Sequence, residues 1–116
     1  MIEKVIIDYL NEHLTDANAY TQEPENKNPS GSYFITVEKT GSQMTDHLYT
    51  SVIAVQSYAP SQYGAASLDE TVRTLMLQIP DYVADVSGVR LIGNSNYTDT
   101  SKRQYRYQAV FDVIHY

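Results

Sequence analysis

The sequence predicts an α+β fold, a single domain over residues 1–116 with a mainly antiparallel β-sheet and two helices packed on it. Three observations predict it. Apolar residues recur at helical spacing in two separate stretches. The remaining apolar stretches alternate, or are apolar on both parities, as strands do. The order reads helix, short strand, strand, strand, helix, strand, strand, which groups the strands into hairpins instead of βαβ units. A chain of 116 residues is about one domain long. No internal repeat, low-complexity tract or domain boundary interrupts it.

In the opening segment Ile2, Val5, Ile6, Tyr9, Leu10 and His13 form one helical stripe, with Glu3, Asp8 and Glu12 on its other side. Ala19-Tyr20-Thr21 reads as a short strand. Gln22 to Ser32, broken by two prolines and a glycine, reads as a loop. Tyr33 to Thr40 alternates, placing Tyr33, Ile35 and Val37 on one side and Thr36 and Glu38 on the other. Gly41-Ser42-Gln43-Met44-Thr45-Asp46 is expected to turn a hairpin. In the next strand, Leu48 to Tyr58, Val52-Ile53-Ala54-Val55 is apolar on both parities, which places it centrally in the sheet.

Ala59-Pro60-Ser61 ends that strand, and a second helix runs to about Gln78. Leu68, Val72, Leu75, Met76 and Ile79 form its apolar face, Asp69, Glu70 and Arg73 are expected to face away, and Pro80 stops it. Val86 to Ile92 is a strand and Gly93 to Ser101 a turn-rich loop. Arg103 to Tyr116 is a closing strand, with Tyr105, Tyr107, Ala109, Phe111 and Val113 on one face. At 14 residues it exceeds the usual strand length, so a bend, a bulge or an extension beyond the sheet is expected.

Composition excludes several functions. With no cysteine, disulfide frameworks, zinc ribbons and thiolate nucleophiles are out. A net charge of −6 argues against a protein that tracks phosphates. No apolar run approaches the roughly 20 residues of a membrane span. The start Met-Ile-Glu-Lys lacks the basic and apolar regions of a signal peptide, so a cytosolic protein, or one assembled from the cytosol, is expected.

The order of residues offers little chemistry. His13, His47 and His115 lie in no metal-ligand spacing and read as structural or surface residues. Asp46 and His47, read as adjacent strand residues, would point to opposite faces. Asp8 and Glu12 are one helical turn apart, but hard cations want more than two oxygen ligands. No nucleophile elbow, P-loop or dinucleotide fingerprint occurs. Asn96-Tyr97-Thr98 matches a glycosylation sequon by chance, without a secretion signal. No catalytic residue, metal site or cofactor is expected.

Charge and tyrosine are the informative features. Six of the 14 acids (Glu3, Asp8, Glu12, Asp16, Glu23, Glu25) fall in the first 25 residues, where Lys4 is the only base. Lys102, Arg103 and Arg106 form the only basic cluster. Either it is a small positive patch, or it complements the acidic helix of another copy. The 11 tyrosines suit protein seams, although Tyr105 and Tyr107 read as sheet packing.

The chain also resembles a known family, the tail-terminator or tail-completion proteins of long-tailed bacteriophages and prophages, often labelled minor capsid proteins. The resemblance covers nearly the whole chain. It rests on Pro24-Glu25-Asn26, Val37-Glu38-Lys39-Thr40-Gly41, Ile53-Ala54-Val55-Gln56-Ser57-Tyr58-Ala59, Asn96-Tyr97-Thr98-Asp99-Thr100 and Arg106-Tyr107-Gln108-Ala109-Val110-Phe111-Asp112. None of these is a catalytic signature. The resemblance implies a virion protein at the head–tail junction, assembled in the host cytoplasm. A homo-oligomeric ring, a hexamer in that family, would cap the tail tube, stop its polymerisation and offer a surface to the head-completion protein, with DNA passing through the lumen unbound. A ring joining two different patches would use Glu3, Asp8 and Glu12 on one flank and Lys102, Arg103 and Arg106 on the other. The polar projections Gly41, Ser42, Gln43, Met44 and Asp46, and Asn94, Asn96, Tyr97 and Asp99, are the candidate tube or connector contacts. The alternatives are a head-side connector protein and a small α+β enzyme or ligand-binding domain.

Overall fold

In the computed structural model, residues 2–14, 17–21, 33–96 and 105–116 are described. Their order is α1 (Ile2–His13), β1 (Asn18–Tyr20), β2 (Phe34–Thr45), β3 (Leu48–Ala59), α2 (Gln62–Leu77), a 3-10 turn (Ile79–Asp81), β4 (Val86–Asn96) and β5 (Tyr105–His115). The strands form one sheet in the order β1-β2-β3-β5-β4, and only the β1–β2 pair is parallel. The α+β fold with two helices on a mostly antiparallel sheet is therefore observed.

Each element follows from its residues. Ile2, Ile6, Tyr9 and Leu10 bury the stripe of α1. The Asn11 side chain fixes the chain beyond it, accepting from Ala19 N at 2.7 Å and donating to Ala19 O at 3.3 Å, which ties β1 to α1. Ser61 caps α2 by accepting from Gly64 N at 3.0 Å. Beyond Gln78 the chain tightens into the 3-10 turn that contains Pro80.

One face of the sheet carries the core. Ile35, Val37, Ile53, Val55, Ala109, Phe111 and Val113 pack with Ile6, Leu10, Val72 and Met76 from the helices. Helix α1 lies over β1 and β2, and α2 lies over β3 and β5 and reaches β4. The central position of β3 is as the sequence predicts. On the other face Phe34 and Tyr58 are cross-strand partners stacked at 4.4 Å, so the first residues of β2 are buried on both sides.

Four boundaries or facings differ from expectation. Residues 41–45 are strand, not turn: β2 runs to Thr45, and the hairpin closes at Asp46 and His47 alone. Both have positive φ, 52° and 69°, as a two-residue type I′ turn requires, so the two are not strand neighbours on opposite faces. β4 continues through Gly93 to Asn96, because β5 supplies partners as far as Asn96↔Tyr107. β5 is described as 11 residues from Tyr105, and the irregularity expected of a long closing strand lies in its pairing with β4, at Val86/Gly88 and Leu91/Gly93. Asp69 faces inward, 1% exposed. The expected loop at 22–32 and residues 97–104 lie outside the described residues.

Candidate functional site

The expected site residues separate into three groups. On α1, Asp8 and Glu12 are exposed, and Asp8 pairs with Lys4 Nζ at 2.7 Å. Glu3 is half-buried, and its Oε1 is buried with no hydrogen-bond partner. Of the three, only Asp8 and Glu12 therefore lie at the exposed surface, Asp8 as the partner of Lys4. Lys102, Arg103, Tyr97 and Asp99 lie outside the described residues.

Arg106 is held within the sheet. Its Nη1 donates to Gln56 Oε1 at 3.1 Å and Tyr58 OH at 3.4 Å, and its guanidinium lies 5.8 Å from the Tyr58 ring centroid. A role for it as a projecting charge is thus secondary to its part in the face opposite the helices.

Gly41, Ser42, Gln43 and Met44 lie on the exposed half of the β2–β3 arm, beyond a bulge at Lys39/Gly41, and Asp46 is at its tip. Met44 is 60% exposed opposite Tyr49, whose ring stacks on His115 at 5.5 Å. Asn94 and Asn96 stand on β4. The amide of Asn94 is engaged, donating to both oxygens of Asp69 at 3.2 and 3.0 Å and to Gln108 O at 3.1 Å.

Sequence reasoning missed the groove between α1 and α2. Two adjoining cavities, of about 480 and 580 Å³, share His13. The first is walled by Asp8, Tyr9, Glu12 and Tyr82. The second runs past Tyr33, Tyr63 and Gly64. A side chain at Gly64 would bring its Cβ within 2.9 Å of the Tyr33 hydroxyl, so glycine lets Tyr33 lie against α2. Tyr9 donates to Leu75 O at 2.7 Å. Burial, then Tyr82 and Asp81, raise its hydroxyl above the ordinary 10.0. His13 Nδ1 donates to Tyr9 O at 2.9 Å. Tyr9, His13 and Tyr82 form an aromatic cluster, with His13 4.4 Å from Tyr9 and 5.0 Å from Tyr82. The signal for it was weak: Tyr82 follows Pro80 outside any periodic segment.

Ser51 and His115 have the form of a nucleophile and its base. Ser51 Oγ donates to His115 Nε2 at 2.7 Å, and Nδ1 donates to Tyr116 O at 3.2 Å. Ser51 is 0% exposed, however, so no substrate can reach its hydroxyl; the pair ties β3 to β5. Among the described residues no group of three or more His, Asp or Glu is placed to hold a metal ion, and no helix is long and apolar enough to cross a membrane. Compared with known proteins, the chain matches no family model, and no curated protein matches it.

Proposed function

We propose that this protein is a virion assembly protein of the tail-terminator kind, a ring of identical subunits that caps the tail tube and receives the head-completion protein. The observation that supports the reading is the exposed acidic face of α1 over one edge of the sheet, in a sequence whose adjacent bases lie far from it along the chain. Strand order places α1, with Asp8 and Glu12, over the β1–β2 edge. The β4–β5 pair, whose connection contains Lys102 and Arg103, forms the opposite edge. A heterologous contact needs two different, complementary patches on one subunit, and an acidic helix face together with a basic pair elsewhere in the same sequence suits that need. The long β2–β3 arm suits a second contact, to the tube or connector.

The test is assembly. Tail-tube protein polymerised with this protein should give short tubes of limited length, and particles lacking it should carry overlong tails. Normal-length tails that fail to join heads would instead identify a head-side connector and refute the terminator role.

A further inference from the structure

We infer that the outer edge of β4 is a seam for self-association, along which a second copy of this chain lays its own β4 antiparallel to the first, joining two five-stranded sheets into one. The contact is separate from the charge-based contact of the proposed ring and does not depend on it.

The two edges of the sheet are built differently. β1 closes one edge with three residues, too short a strand to template much pairing. β4 closes the other with 11 residues. Its inner side is taken by β5, and among the described residues no main-chain group from Ser87 to Ser95 bonds outward to another element. Such a row of N–H and C=O groups is completed by an added strand. Natural edges are guarded by lysines, prolines or inward charges. From Ser87 to Ser95 there is no lysine, proline or acid, and the one base is drawn back onto the sheet, Arg90 Nη2 donating to Asp112 Oδ2 on β5 at 2.7 Å. The bulges at Val86/Gly88 and Leu91/Gly93 bend the strand, yet Gly88 to Leu91 and Gly93 to Ser95 keep continuous register with β5.

Charge selects a second copy as the occupant. Copies that each carry a net charge of −6 repel, so a contact between them needs a seam that adds no like charge. β4 offers one, because Arg90 is paired with Asp112. A two-fold axis at Leu91 sets Arg90 opposite Ile92 of the second copy and Val89 opposite its Gly93, so the two arginines are not directly opposed. Ile92, 48% exposed, is then covered by the aliphatic stem of Arg90. Val89 and Leu91 already pack against the core, and the meeting of Leu91 with its counterpart carries that core across the seam.

The experiment uses the full chain in sedimentation equilibrium over a range of protein and salt concentration. A monomer–dimer equilibrium is expected, with association about threefold stronger in about 0.5 M salt than in about 0.02 M, because salt screens the repulsion and the seam adds no net charge. Ile92→Lys, a surface change set opposite Arg90, should weaken association about tenfold, whereas Ile92→Gln should cost no more than about threefold. The chain has no cysteine, so Leu91→Cys places a single thiol at the two-fold axis, where mild oxidation should link the dimer. Tyr63→Cys, on α2 and away from the seam, should not link. A chain that stays monomeric in high salt overturns the proposal. So does a dimer that Ile92→Lys leaves unaltered, or one in which Leu91→Cys links no faster than Tyr63→Cys. Association that weakens as salt rises also overturns it, and is the behaviour of the charge-based ring contact instead. Tail tubes that grow without limit beside a chain that still dimerises refute the ring reading alone and leave this seam intact.

Discussion

Asn94 and Asp69 are joined across the interface between sheet and helix, with Asn94 Nδ2 donating to both carboxylate oxygens, at 3.2 and 3.0 Å. Asp69 also accepts from Arg73 Nε at 3.0 Å. A carboxylate only 1% exposed needs these donors, because a buried charge without them is costly. Asn94→Ala is expected to destabilise the fold by about 1–3 kcal/mol. Asn94→Asp should do worse, setting a second carboxylate beside the first. Urea midpoints at unchanged slope test both, and an Asn94→Ala variant as stable as the original would show that the network is dispensable.

Tyr9 makes stability depend on alkaline pH. Burial, then Tyr82 and Asp81, raise its hydroxyl above 10.0, so the fold favours the neutral phenol that donates to Leu75 O. In the unfolded chain Tyr9 ionises near 10. Its contribution is therefore complete below about pH 10 and is lost as pH rises through the folded value. Tyr9→Phe should cost about 1 kcal/mol at neutral pH. The gap between the two proteins should then narrow above pH 10. A gap that stays constant across that range would contradict the account.

The arm closes on two residues that are unusual for their conformation. Asp46 and His47 hold φ of 52° and 69°, where Asn-Gly is the favoured pair. A left-handed L-residue costs roughly 1 kcal/mol, and somewhat less for Asp and His. His47→Gly should therefore slow amide exchange in the arm, most clearly at Thr45 and Leu48, which pair directly before and after the turn. His47→Val should speed it. Equal exchange in both variants would rule out strain at the tip.

Much of the fold was legible in the sequence. Periodicity placed α1, and double-sided apolarity placed β3 at the centre, since both signals come from burial itself. The ends of β2 and β4 were not legible. Gly41 to Thr45 and Gly93 to Asn96 are polar and glycine-bearing, and their strand character comes from the partners across the ladder, β3 and β5, and not from their own side chains. Asp69 was misread by residue type. Ala65, Leu68, Asp69, Val72 and Met76 fall on one helical stripe, and that spacing already placed the carboxylate inside. Lys102 and Arg103 stand out as a pair in sequence, whereas the groove does not, because its walls come from α1, α2 and the segment after Pro80.

Arg106 separates folding from association. Its guanidinium bonds Gln56 Oε1 and the Tyr58 hydroxyl and lies over the Tyr58 ring, which itself stacks on Phe34. A point ammonium cannot reproduce a planar group that both stacks and forks. Arg106→Lys should therefore lose nearly as much stability as Arg106→Ala, about 1–2 kcal/mol, read from the urea midpoint. If Arg106 acted only as a projecting charge at a subunit seam, Arg106→Lys would keep both stability and association. Retained stability in that variant would return Arg106 to the basic flank beside Lys102 and Arg103.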